Sequence, residues 1–223
     1  MFRRTELLIG ENNLDKIKNS NILVVGVGGV GGYVCEFLVR TGVQNLTIID
    51  FDNVELSNKN RQIIALDSTL GKPKVKVLEA RLKDINENLN INSIDERFNE
   101  ELLLKIDLTK FDYVVDAIDD VKNKVLLIKE CFNKNIFIIS AMGAGNRFDI
   151  PNFKVADIFK TYNDGLAKIL RKKLKDEGVT KHKVVFSESK PAKIDRAVGS
   201  VAYYPPASAS VLVAYIINDI ISK

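Results

Sequence analysis

Short, continuous apolar runs alternate along this chain with amphipathic stretches of helical period. The runs fall at residues 22–25, 46–49, 113–119 and 136–140, with a weaker one at 91–94. They are apolar throughout rather than at every second position, as expected of strands buried on both faces of a parallel sheet. Between them lie helical patterns. Residues 5–18 carry Leu7, Leu8, Leu14 and Ile17 on one face, interrupted near Gly10. A second pattern runs from about residue 29 to 40 and is stopped by Gly42. Others start at Pro73 and run to about 85, cover 99–106, and follow Asp119 or Asp120, either of which suits a helix N-cap, over 123–133. Beyond Asp149-Ile150-Pro151 the texture changes. Residues 153–158 and 184–186 read as strands, 166–175 as a basic helix, and 211–221 as a C-terminal helix with Leu212, Tyr215, Ile216 and Ile220 at helical spacing. The alternation predicts an α/β fold, a doubly wound and mainly parallel sheet in one domain over 1–223. Its Rossmann-like nucleotide-binding half spans about 20–150, and a C-terminal α/β completion spans 151–223.

The first run ends in Gly26-Val27-Gly28-Gly29-Val30-Gly31, in which Gly26, Gly28 and Gly31 fit G-x-G-x-x-G. The first glycine permits the tight turn, the second lets backbone approach a phosphate, and the third lets helix pack close to strand. The second run ends at Asp50, at the spacing of an acid that holds a ribose hydroxyl. Residues 21–50 thus form a candidate βαβ nucleotide-binding unit, whose helix presents free N–H groups to an anion.

Composition narrows the chemistry. The chain has 223 residues, 46% hydrophobic and 28% charged, enough for a sizeable core. No apolar segment follows the N-terminus, and the apolar tail at 211–221 is too short to span a bilayer, so a cytoplasmic protein without membrane attachment is expected. Cys35 and Cys131 fall in apolar helical patterns and read as core thiols; two cysteines exclude a four-cysteine zinc site. The single histidine, His182, lies among lysines and reads as solvated. A net charge of +4 permits an acidic partner such as RNA without requiring one.

The expected topology brings four groups to the carboxyl edge of the sheet: the glycine loop, Asp50 with Asp52, the polar loop carrying Asn58 and Arg61, and Asp119, with Lys74 just beyond. Each charge alone reads as a solvated surface group. Together they suit a nucleoside triphosphate better than a dinucleotide. Arg61 and Lys74 neutralise phosphate charge, and Asp119 offers oxygen to Mg²⁺.

The same residues carry a resemblance. Gly26 to Gly31 with Gly29, Asp50-Phe51-Asp52, Ser57-Asn58-Lys59-Asn60-Arg61-Gln62, Gly71-Lys72-Pro73-Lys74 and Asp116-Ala117-Ile118-Asp119 resemble the ubiquitin-activating-enzyme-like adenylating superfamily. Within it the chain looks most like the tRNA threonylcarbamoyladenosine dehydratases. That similarity is carried by Arg4-Thr5-Glu6-Leu7-Leu8-Ile9-Gly10, Met142-Gly143-Ala144-Gly145-Asn146-Arg147, Ala156-Asp157-Ile158-Phe159-Lys160-Thr161 and Val184-Val185-Phe186-Ser187. The resemblance implies ATP-dependent adenylation of the threonylcarbamoyl carboxylate on tRNA. Attack by the tethered carbamoyl group then closes a ring and expels AMP. It further implies that Asp50 holds the ribose, that Asn58, Arg61 and Lys74 engage the phosphates, and that Asp119 binds magnesium. It implies a homodimer in which Arg4 reaches the partner's ATP, and it leaves room for a sulfur-relay protein as a partner. The competing reading is an adenylyltransferase that activates a ubiquitin-like sulfur carrier; its relatives typically keep paired C-x-x-C zinc ligands. The chain departs from the branch at Gly165, where proline is usual, at Pro205-Pro206-Ala207-Ser208-Ala209-Ser210, and in a short segment between Lys190 and Tyr203. Lys168, Arg171, Lys172, Lys173, Lys175, Lys181 and Lys183 read either as contacts to tRNA phosphates or as a solvated face.

Overall fold

The computed structural model describes residues 1–194 and 198–223; residues 195–197, within the short segment noted above, lie outside the described set. Among the described residues seven strands form one sheet: β1 (Asn21–Val25), β2 (Asn45–Ile49), β3 (Asn90–Ile94), β4 (Tyr113–Asp116), β5 (Ile138–Ala141), β6 (Phe153–Asp157) and β7 (Lys183–Ser187). Their order is β3-β2-β1-β4-β5-β7-β6, parallel throughout except for β6, which pairs antiparallel with β7 at the edge. The carboxyl ends are in register, with Val25 beside both Ile49 and Asp116, and Asp116 beside Ser140. Chain order reverses between β1 and β4, and the loops leaving these two strands diverge there to open a crevice.

Helices cover both faces. α1 (Arg3–Ile9) and α2 (Glu11–Asn19) are separate because Gly10 sits at φ 84°, a conformation that no continuing helix adopts. α3 (Gly31–Thr41) and α4 (Lys74–Ile85) pack on one face with α8 (Tyr204–Ser222). α6 (Val121–Asn133) and α7 (Gly165–Asp176) pack on the other, where α5 (Glu100–Lys105) adds Leu102. Alternate strand residues serve the two layers. Ile22, Val24 and Val115 face the first, and Leu23, Val25 and Val114 the second.

The helix after β4 is capped by Asp120, whose carboxylate accepts the Lys122 N–H, so of the two acids proposed for the cap it leaves Asp119 free. α8 differs most from expectation. It begins at Tyr204, seven residues before the apolar pattern does, because Pro205 and Pro206 occupy its first turn, where a missing N–H costs nothing. At 19 residues it is long and apolar enough to cross a membrane. Here its own Ala209, Leu212, Val213, Ile216 and Ile220 are buried in the core.

Candidate nucleotide site at the sheet switch point

A cavity of about 740 Å³ opens at the carboxyl ends of β1, β2, β4 and β5. Its floor is the glycine loop. Gly26 has φ 87°, and a Cβ there would lie 2.6 Å from the Ala117 carbonyl oxygen. Gly31 has a different duty. A Cβ on it would lie 1.8 Å from the Gly26 carbonyl oxygen, so the missing side chain lets α3 close on the turn, and Gly31 is not among the cavity-lining residues. Gly28 and Gly29 do line the cavity, with room beside them.

Asp50 follows β2 at the cavity wall. One carboxylate oxygen accepts the Val27 N–H at 2.8 Å and the other the Asp52 N–H at 2.9 Å. The side chain thereby ties the glycine loop to the β2 loop. Burial pushes its pKa up, against these hydrogen bonds and the Lys74 charge. A carboxylate has about four lone-pair sites, so two remain for a ligand hydroxyl.

The loop after Asp52 folds back over the crevice. Asn58 is buried at the end of a single 3₁₀ turn (Leu56–Asn58), and its side-chain oxygen accepts the Glu55 N–H at 3.1 Å. Arg61 donates from Nη1 to the Ser57 carbonyl and the Asn60 side-chain oxygen, both at 2.9 Å, which orients its guanidinium in advance. Lys74 starts α4. Its side chain is buried, and its Nζ donates to Asp52 at 2.7 Å. Asp52, Asn58, Arg61 and Lys74 all line the cavity, together with Asp50 and Asp119. The predicted set therefore converges, with two exceptions. Gly31 acts in packing, and Arg4 lies exposed on α1, away from the cavity lining of its own chain.

Several lining residues carried no signal strong enough to single them out. Arg97, in the loop after β3, stacks over the Phe51 ring at 3.9 Å and approaches Asp120 at 3.8 Å. A basic residue just beyond a parallel strand's carboxyl end was the available clue. Gln62 lines the cavity with a buried side-chain oxygen that has no hydrogen-bond partner. Pro205, at the start of α8, lies 3.5 Å from where a Gly29 Cβ would stand.

His182 corrects a sequence expectation. It is buried rather than solvated, because the turn into β7 points it under α6, and its Nε2 lies 2.7 Å from Ser140 Oγ. Ser140 Oγ donates to Asp116 Oδ2 at 2.5 Å, so the hydroxyl accepts from the Nε2–H of a neutral imidazole. Burial, reinforced by the Lys124 charge, lowers the histidine pKa to about 3. The two thiols are buried as expected. Burial pushes Cys131 up to about 12 and Cys35 higher still, which leaves neither as a nucleophile.

Among the described residues no group of three or more acidic, histidine or cysteine side chains gathers to hold a metal. Asp119 is exposed on the cavity wall. One such carboxylate fits a Mg²⁺ ion that takes its other oxygens from phosphate and water, the usual arrangement for that ion. The cavity can thus take a polyphosphate between Arg61, Lys74 and the glycine loop. Among its described lining residues there is no cysteine or histidine.

The ThiF family model matches residues 2–181. The tRNA threonylcarbamoyladenosine dehydratase of Bacillus subtilis is 43% identical over 194 residues, covering 86% of this chain and 76% of that protein. A crystal structure of Escherichia coli tRNA N6-threonylcarbamoyladenosine dehydratase in complex with AMP superposes with a TM-score of 0.95 at 33% identity, covering 99% of this chain and 94% of that one. The same enzyme in complex with ATP gives 0.92 at 32% identity, covering 99% and 93%. By the family match over most of its length and by these similarities in sequence and structure, the chain belongs to the ThiF family, in its tRNA threonylcarbamoyladenosine dehydratase branch.

Proposed function

We propose that this protein uses ATP to cyclise N6-threonylcarbamoyladenosine in tRNA with loss of water. The observation that carries the reading is the convergence of Arg61, Lys74, Asp119 and the glycine loop on one cavity with no cysteine or histidine among its described lining residues. Such a site suits a reaction whose nucleophile is already tethered within the substrate. The threonyl carboxylate attacks the α-phosphorus, and pyrophosphate departs. Arg61 and Lys74 stabilise the charge that develops on the phosphates. The carbamoyl group of the same nucleoside then attacks the carbonyl carbon of the acyl adenylate, gives up a proton to solvent, and closes the ring as AMP leaves with the bond to its phosphate oxygen broken. Effective molarities of tethered groups reach about 10⁵–10⁸ M, so holding the nucleoside in place supplies much of the acceleration.

Asp50 is assigned to the ribose and Asn58 to the phosphates. Asp119 would hold Mg²⁺, which when bound neutralises phosphate charge. A homodimer in the cytoplasm is the assembly proposed, with Arg4 reaching the partner's cavity. The support is that α1 buries none of its own residues and exposes Leu7 and Leu8 at 69% and 84%, a surface suited to a second chain. The exposed lysines of α7 (Lys168, Lys172, Lys173 and Lys175) are proposed to meet tRNA phosphates, whereas Arg171 is engaged by Thr161.

The test is incubation with Mg-ATP and tRNA bearing threonylcarbamoyladenosine, followed by digestion and mass analysis of the nucleosides. ATP-dependent loss of one water from the modified adenosine is expected. Arg61→Ala should lower the rate by about 10²-fold or more. ATP binding with no change in mass, or pyrophosphate release only when a sulfur-carrier protein is added, would overturn the assignment.

A further inference from the structure

Beneath the cavity lies a charged cluster that no step above uses. Lys124 on α6 and Asp116 at the end of β4 are each fully buried, with Lys124 Nζ 2.9 Å from Asp116 Oδ2. A buried ion pair is a poor way to gain stability, because desolvation consumes the attraction and apolar replacements of equal volume often do as well. What this pair grips is informative. Asp116 Oδ1 accepts the Ile118 N–H at 3.1 Å, and Lys124 Nζ donates to the Ile118 carbonyl at 2.9 Å. Both backbone groups of the residue before Asp119 are therefore held by one pair of charges. The chain to either side is also tied. The Ala117 N–H donates to the Val25 carbonyl at 2.8 Å, and Asp120 caps α6. Asp119 itself has no hydrogen bond or ion pair to another side chain among the described residues. Its placement at the cavity wall rests on its backbone alone.

We infer that Lys124 and Asp116 are positioning residues that fix the backbone at Ile118, and through it place the Asp119 carboxylate for a Mg²⁺–nucleotide complex, with Ser140 and His182 bracing the pair from β5 and the turn into β7. The inference rests on the assignment of Asp119 to the metal made above. The bracing chain is continuous: His182 Nε2 to Ser140 Oγ at 2.7 Å, Ser140 Oγ to Asp116 Oδ2 at 2.5 Å, and Asp116 to Lys124. The clamped turn also touches the phosphate loop, because the Ala117 carbonyl fills the space a Gly26 side chain would need. Metal side and phosphate side are thus set against each other by one rigid turn. Misplacement of a reacting group by about 1 Å costs on the order of 10²-fold in rate.

The readout is nucleotide binding with and without metal. Kd for ATP is measured by calorimetry in Mg²⁺ and in EDTA, beside thermal denaturation, for two double variants. Asp116→Asn with Lys124→Met removes the donor to the Ile118 carbonyl. Asp116→Asn with Lys124→Gln keeps an uncharged donor. The Met variant is expected to bind ATP in EDTA as the parent does but to lose tenfold or more of the tightening that Mg²⁺ brings. The Gln variant should recover most of that loss. Equal Mg²⁺ tightening in parent and Met variant overturns the inference, as does an equal loss of affinity in EDTA. Should the Met variant not fold, Ser140→Ala serves. It leaves the ion pair in place and is expected to cut the Mg²⁺ tightening about threefold, and no change would overturn the inference. Asp119→Asn separates the two layers. If it leaves the Mg²⁺ tightening intact, the assignment of Asp119 to the metal fails and the inference with it. If Asp119→Asn abolishes the tightening but the Met variant does not, the positioning role alone fails.

Discussion

His182 gives the sharpest test of the electrostatics under the sheet, because it is the only histidine in the chain and can be observed by itself. Burial first, and the Lys124 ammonium second, hold its pKa at about 3 against an ordinary 6.5. The unfolded chain takes up that proton near pH 6.5 while the folded chain refuses it, so the unfolded state binds more protons between about pH 3 and 6.5. The stability tied to this group is therefore complete above about pH 6.5 and is lost progressively as pH falls toward 3. Each unit below 6.5 is worth about 1.4 kcal/mol, so at pH 5 the loss is about 2 kcal/mol, against about 5–15 kcal/mol for a whole domain. His182→Gln keeps an N–H near Ser140 Oγ but cannot titrate. At pH 7 it should be less stable than the parent by about 1 kcal/mol. At pH 5 the gap should close or reverse, because only the parent carries the proton-linked loss. Urea unfolding followed by circular dichroism at the two pH values measures this. NMR of the ring Cε1–H should show no titration in the folded protein between pH 7.5 and 5. An imidazole that titrates near 6.5 in the folded state, or a parent and variant whose stabilities fall in parallel, would refute the reasoning.

Other outcomes follow from particular positions in the fold. Gly165 is the first residue of α7, nothing lies within 4 Å of where its Cβ would be, and Asp164 before it has φ −133° and ψ 114°, as a residue preceding proline prefers. Gly165→Pro should therefore raise stability by about 0.4–1 kcal/mol in thermal denaturation, and a drop would contradict the placement. Gly31→Ala should cost about 3 kcal/mol or more, because its Cβ would overlap the Gly26 carbonyl. Gly28→Ala should instead fold normally and weaken ATP binding, since its methyl would enter the cavity; calorimetry with denaturation separates the two effects. Replacing Lys168, Lys172, Lys173 and Lys175 by alanine should flatten the dependence of log K for tRNA on log salt by about 0.7–0.9 for each phosphate no longer neutralised. An unchanged slope would remove α7 from the RNA surface.

The strand runs and glycine punctuation were legible because their physical demands are local. A doubly buried strand must be apolar throughout, and the turn after β1 admits no side chain at Gly26. The cavity set was legible for a related reason. Asp50, Arg61 and Asp119 sit in loops leaving strand ends and Lys74 opens the helix that follows one of them, and a parallel sheet delivers all such connections to one edge. Less could be read where neighbours distant in sequence decide. The apolar pattern placed the start of the last helix at 211, yet Pro205 and Pro206 already lie in its first turn, and the core packing of Ala209 extends it there.

The sequence by itself thus determined the order of elements, the parallel sheet and the edge at which charged and polar residues gather. Burial of the polar cluster was decided only by tertiary structure. Nothing local distinguishes His182 from its lysine neighbours, or Lys124 from Lys122. Register sets Ser140 beside Asp116, and the packing of α6 on that face carries Lys124 to the pair while Lys122 stays in solvent. Solvation is a property of what packs around a side chain, and those partners lie 8 to 66 residues away along the chain from Asp116.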